Sequence, residues 1–247
     1  MTKSRFHFVA RRLHRWLGVI IGIQFLAWTL GGLYFSWSDM DEVHGDHEKA
    51  AAPLFASSAN YVSPAVFLDS LRQTEAVDSL ADLRLVSILG RPHWLTTYFT
   101  KGHERQHKKV RLADALTGTL RPPLTQEEAV AVAEIGYVGA GKVQSVEYLT
   151  EAGSHHEYRE QPLPAYAVSF DDERRSTVYV AAELGTVQRI RNRPWRRFDF
   201  LWMLHTMDYR SRDHIANWLL RAFSIFGLLT VASGFTLFFV SRKQREK

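Results

Sequence analysis

The sequence predicts a membrane protein in which two transmembrane α-helices flank an extramembrane α+β domain with antiparallel sheets. Three observations predict it. Two charge-free apolar stretches run from Leu17 to Ser38 and from Ala222 to Val240, the chain between them is rich in charge, and that middle repeats a pattern of one helix and three strands. As a helix, each apolar stretch crosses a hydrocarbon layer of about 30 Å.

Residues 1–16 form a basic tail, with Lys3, Arg5, Arg11, Arg12 and Arg15 and no acid. The apolar run at 17–38 is longer than a cleaved signal core of about 7 to 15 residues. The nearest small-x-small site, Ala50 to Ala52, is followed by Pro53, so an uncleaved span is expected. The second span, 218–240, leads into a tail, 241–247, that carries Arg242, Lys243, Arg245 and Lys247. Short basic flanks stay on the cytoplasmic side, which puts both termini there and the central domain on the other face. Arg189, Arg191, Arg193, Arg196, Arg197, Arg210 and Arg212 crowd the approach to the second span. Long translocated domains are largely exempt from the charge rule, so this collar is assigned to lipid headgroups or an anionic ligand.

The chain has no cysteine, which excludes a disulfide framework, Fe–S ligation, thioether-linked haem and a thiol nucleophile. Its 31 Lys and Arg exceed its 26 Asp and Glu by only five, and the excess sits beside the spans. That argues for contact with membrane lipid, and no motif for nucleic acid accompanies it. GxSxG, P-loop and GxGxxG are all missing, so α/β-hydrolase, NTPase and dinucleotide chemistry lack their usual residues, while the one HExxH match, His103 to His107, falls in the charged stretch between strands that reads as surface.

Residues 39–62 read as a linker. Asp39, Asp41, Glu42, His44, Asp46, His47 and Glu48 offer ligand types suited to first-row divalent metals, but their spacing matches no defined metal motif. A solvated acidic linker is expected. The first repeat, 63–122, opens with SPAVFLDSLRQ; the second, 123–193, opens with LTQEEAVAVAEI, each a polar cap before apolar residues at helical spacing. Strands are expected at Leu83 to Ile88, His93 to Phe99 and Lys109 to Leu116, then at Val143 to Leu149, Ala165 to Phe170 and Thr177 to Ala182. The copies close on similar turns, ALTGTL around Gly118 and AELGTV around Gly185, where glycine suits positive φ. His155, His156 and Glu157 fall in a polar hairpin loop, and His93, His103 and His107 read as surface. Residues 194–212 form an interfacial amphipathic helix, with Phe198, Leu201, Trp202 and His205 on its apolar edge.

The opening RRLHRWLGVIIGIQFLAWTLGGLYF, the repeats ending in LTGTL and LGTV, and LWMLHTMDY before the second span resemble the PepSY-associated transmembrane proteins of bacteria. The likeness covers nearly the whole chain, with LHRWLG and the pair Leu204–His205 its most specific parts. Members include ferric-siderophore reductases and iron-uptake proteins of the inner membrane, some with haem between their spans. The resemblance therefore implies two PepSY-like repeats in a periplasmic domain, an inner-membrane location, haem b, and transmembrane electron transfer or ferric-siderophore reduction in iron acquisition. Larger relatives have four spans, whereas two are read in this chain.

The histidines sort by position. His14 stands at the mouth of span one, with Gly18 and Gly22 following on the same helical face. That face suits a porphyrin above an axial histidine, a packed neighbouring helix, or contact with headgroups. His7, two turns earlier, reads as surface. His205 needs a partner on its apolar edge, which haem iron, Asp208 or a backbone carbonyl would supply. His214, His44 and His47 join it at the outer surface, so two axial ligands are available there. Arg196 and Arg197, with Arg210 and Arg212, are placed to neutralise propionates. A bis-histidine haem at the inner mouth would take His14 from each protomer of a homodimer with Gly18 and Gly22 at its seam. The reading is thus a haem protein with His14 and His205 as iron ligands, acting as a ferric reductase component. The alternative is a membrane-anchored binding or regulatory module that engages a peptide, protease or partner protein through exposed sheet edges.

Overall fold

A computed structural model describes residues 3–100 and 107–245. The chain divides into two units, 1–39 with 197–247, and 40–196.

The first unit contains the two long terminal helices, α1 (Lys3–Trp37) and α6 (Trp218–Arg245), which pack together. Each is long and apolar enough to cross a membrane, over His14–Trp37 and Trp218–Phe239. Their apolar side chains, Ile23, Leu30, Leu228 and Phe238 among them, face outward rather than into a protein core. A soluble protein would bury such helices, so this exposure favours membrane anchoring.

The second unit holds two sheets, each antiparallel and in chain order. After α2 (Met40–His44), the first repeat comprises α3 (Pro64–Thr74) and strands β1 (Val77–Ile88), β2 (Arg91–Thr100), β3 (His107–Asp114) and β4 (Leu120–Arg121). The second comprises α4 (Gln126–Gly136), β5 (Lys142–Leu149), β6 (Ala165–Asp171), β7 (Thr177–Ala181) and β8 (Thr186–Arg191). α5 (Arg193–Thr206) follows and carries the chain into the first unit. Each repeat thus has four strands instead of the expected three. The added strand comes just after the glycine turn, and in the first repeat Pro122 stops it after two residues because proline cannot donate to a ladder.

The helix starts follow their caps. Ser63 accepts a hydrogen bond from the Ala65 amide with Pro64 at the first helical position, and Thr125 forms a reciprocal capping box with Glu128. Period-two alternation gives the first sheet two buried faces. Trp94, Tyr98 and Ala113 pack with Phe67 and Leu71 of α3, while Leu95 and Leu112 enter the main core. That core also takes Val132 and Ala133 of α4 and Val168, Val178, Val180 and Ile190 of the second sheet, so one apolar interior joins the repeats. Gly185 touches this junction: at φ +68°, an added Cβ would stand 2.4 Å from Ile88 Cδ1 and 3.3 Å from Leu112 Cδ1.

The acidic segment after the first span keeps Asp39, Asp41, His44, Asp46 and His47 exposed, but its backbone and two of its side chains are docked. Val43 and Glu48 are buried, the Ala50 amide bonds the Gly136 carbonyl, and the Val138 amide bonds the Glu48 carbonyl. Glu48 is tolerable there because Asn192 Nδ2 donates to its Oε2 at 3.2 Å and Arg174 Nε lies 3.5 Å from its Oε1. Among the described residues no three His, Asp or Glu side chains gather as a metal group.

Candidate functional site

Within the first unit, α1 and α6 meet at a histidine. His14 Nδ1 lies 2.7 Å from Ser233 Oγ, and that hydroxyl donates its proton to the Thr230 carbonyl at 2.7 Å. A hydroxyl has one proton, so Ser233 must accept from His14, which puts the imidazole proton on Nδ1 and leaves a bare lone pair on Nε2. Gly234 lies against the ring, where an added Cβ would stand 3.6 Å from His14 Cε1. The same glycine lines an open apolar cavity of about 450 Å³ with Val231, Phe235, Phe238 and Phe239. Gly18 and Gly22 are bare on their face, with nothing within 4 Å of an added Cβ. Arg11, Arg12 and Arg15, within one turn of His14 along α1, are exposed. Ser233→Ala should abolish the preference for the Nδ1–H tautomer, read as a shift of the His14 side-chain ¹⁵N resonances toward a mixture; unchanged resonances would contradict it.

His205 occupies an aromatic cluster. Its ring stacks on Trp202 at 6.0 Å and 13°, and Trp28 and Phe35 of α1 each lie 5.9 Å away. Its Nδ1 is buried without a hydrogen-bond partner, as is Nε1 of Trp28. Neither Asp208 nor a carbonyl serves that nitrogen. Asp208 instead accepts from the Ser211 hydroxyl and from the amides of Arg210, Ser211 and His214. Burial raises its pKa, but these hydrogen bonds outweigh burial and hold the carboxyl well below the usual carboxylate range. Ser211 donates to Asp208 and so accepts from His214 Nδ1 at 2.6 Å, leaving the mostly exposed His214 ring with a free Nε2. His205 packs at the level of Trp28 and Phe35. Trp28 alone is 14 residues beyond His14, about 21 Å of helix, so His14 and His205 do not share one iron.

The other expected residues lie apart from these. His44, in the second unit, stands 4.0 Å from Asp46 and is half exposed. Arg196 is committed within that unit: Nε and Nη2 clasp Glu157 at 2.5 and 2.9 Å, and Nη1 bonds the Arg175 carbonyl at 2.6 Å. Arg197 is exposed at the start of the first unit's share of α5. His47 bonds the Asp41 carbonyl at 3.2 Å, with Arg174 Nη1 3.3 Å from its other nitrogen. His103 and the side chains of His7 and His107 lie outside the described residues.

Sequence reasoning missed Ser233, Gly234 and Trp28. A serine in an apolar span gives no signal until the helix pairing is known. It also read His93 as surface, whereas His93 is buried at 5 % exposure. Comparison with protein-family models, curated proteins and solved structures finds no match to this chain.

Proposed function

We propose that this chain is a bacterial inner-membrane electron-transfer protein that holds haem b at His14 and acts in ferric-siderophore reduction during iron acquisition, with its termini cytoplasmic and its central domain periplasmic. The observation that carries the reading is the His14–Ser233 hydrogen bond, which frees Nε2 as a ligand. Axial imidazoles are oriented by such a bond at the opposite nitrogen. The donor set fits: a neutral imidazole, an apolar aromatic cavity beginning at Gly234, and arginines nearby for propionates. Haem would supply a one-electron Fe(III)/Fe(II) couple there. His14 would hold the iron through Nε2, Phe235, Phe238 and Phe239 would shield it from water, and Arg11, Arg12 and Arg15 would balance negative charge. His205 fits less well, since its Nδ1 has no orienting partner. A second copy meeting this one along Gly18 and Gly22 would bring a second His14, which makes a homodimer part of the proposal.

The test is the optical spectrum of protein purified in mild detergent from haem-replete cells, before and after dithionite. A sharp Soret band with split reduced bands, lost in His14→Ala and kept in His205→Ala, is expected. A folded but colourless protein that stays colourless after haem is added overturns the reading. One observation favours the alternative, a binding module without redox activity: the second unit has a cavity of mixed polar and apolar lining that includes the buried His93.

A further inference from the structure

The cavity at His93 has a volume of about 630 Å³ and is formed where the β1–β2 hairpin meets the segment joining the two repeats. His93 lines it while being only 5 % exposed. Its Nδ1 lies 3.0 Å from the Arg91 carbonyl, an acceptor only, so Nδ1 carries the proton. Burial pushes the imidazole below its ordinary pKa, and Arg121 and Arg91 add to this against the Arg91 carbonyl and Asp114. The ring is therefore neutral at pH 7, and Nε2 is a bare acceptor that no hydrogen bond among the described residues uses.

The charges around it are unequal in availability. Arg121 is held by Glu128 at 2.5 Å, and Asp114 accepts from the Leu116 and Thr117 amides at 2.8 and 3.0 Å. Arg91 is exposed, and no ion pair among the described residues takes its guanidinium. It stands two residues before His93 on β2, hence on the same face of the strand. The wall beside them is apolar, with Pro122, Pro123 and Leu89. Leu89, at φ +52° with Gly90 at φ +77°, is one of the two central residues of the β1–β2 hairpin turn and also lines the cavity.

One free cation, one buried bare acceptor on the same face, and an apolar wall define a ligand. We infer that this cavity binds a small carboxylate that carries a hydrogen-bond donor on the adjacent carbon and an apolar substituent. The carboxylate pairs with Arg91, the donor bonds His93 Nε2, and the substituent packs on Leu89 and the two prolines. Two sources share that chemistry, an α-hydroxy acid and the last residue of a peptide. The site lies wholly in the second unit and does not depend on haem.

Calorimetric titration of the full chain in mild detergent tests it, with mandelate against phenylacetate, and N-acetylphenylalanine against its N-methyl derivative. Binding of the donor-bearing member three- to tenfold tighter than its partner is expected, the worth of one hydrogen bond. Preference within the first pair identifies a hydroxy acid, and within the second a peptide terminus. His93→Phe should equalise the members while His93→Gln, which can still accept, keeps part of the preference; Arg91→Ala should weaken all four. No binding at millimolar concentration, or equal binding within both pairs by the unmodified protein, overturns the inference. An unchanged thermal midpoint for His93→Gln separates lost recognition from lost fold.

Discussion

Replacing Gly185 with alanine is expected to destabilise the protein by about 2–3 kcal/mol, and valine there by about 4 kcal/mol or more. Two costs add. At φ +68° any side chain meets the backbone unfavourably, and a β-branched one does so most. The added Cβ also enters the junction between repeats, 2.4 Å from Ile88 Cδ1 and 3.0 Å from its Cγ1. Ile88 can swing its terminal methyl but cannot withdraw Cγ1 without disturbing the core it shares with Leu112. The matching turn provides the control. Gly118 has nearly the same φ, +76°, but its added Cβ meets Val66 Cγ1 at 3.3 Å, so Gly118→Ala should cost only about 1–2 kcal/mol. Chemical denaturation of the four proteins measures the difference. Ile88→Val should recover part of the Gly185→Ala loss and none of the Gly118→Ala loss; equal losses at the two turns would refute the steric account.

Asn192→Ala should cost about 2–4 kcal/mol, because one fully buried side chain serves three groups. Its Oδ1 accepts from the Trp195 amide at 2.9 Å and so caps α5. Its Nδ2 donates to the Glu42 carbonyl and to Glu48 Oε2, both at 3.2 Å. Removing it leaves Glu48 buried with Arg174 as its remaining close cation. Asn192→Asp separates the roles. The cap survives, but a second carboxylate then faces Glu48, and that like charge raises the pKa of the introduced aspartate in the folded state. Folded pKa values above unfolded ones mean stability present at low pH and lost as pH rises through them. The Asn192→Asp deficit should therefore be smaller near pH 4 than at pH 8, whereas that of Asn192→Ala should vary little. Thermal midpoints across that range decide it.

The large features were readable from composition and period. Length and the lack of charge located α1 and α6, and alternation located the hairpins. The fourth strands escaped because β4 is two residues long and β8, TVQRIR, runs straight into the arginine collar. The first half of β1, from Val77 to Asp82, is exposed after Val77 and carries two register shifts, so it shows no alternation. At the candidate site, His14 and its glycine face were legible as helix geometry. Ser233 was not, since it is 219 residues away and only the pairing of two helices brings it close. His93 looked exposed among charged neighbours, yet it is buried in the wall of a cavity that it shares with Pro122 and Pro123.

The bond from Asn192 to the Glu42 carbonyl also has a topological meaning. It makes the entry and the exit of the 40–196 unit neighbours, so that unit is an insertion cassette whose ends already meet. Splicing such a cassette into a helical hairpin demands little loop-closure entropy. The helices keep contacts of their own, His14 to Ser233 and Gln24 to the Leu204 carbonyl among them. An insertion whose ends meet is an arrangement in which one unit can be lengthened or replaced without stretching the chain of the other.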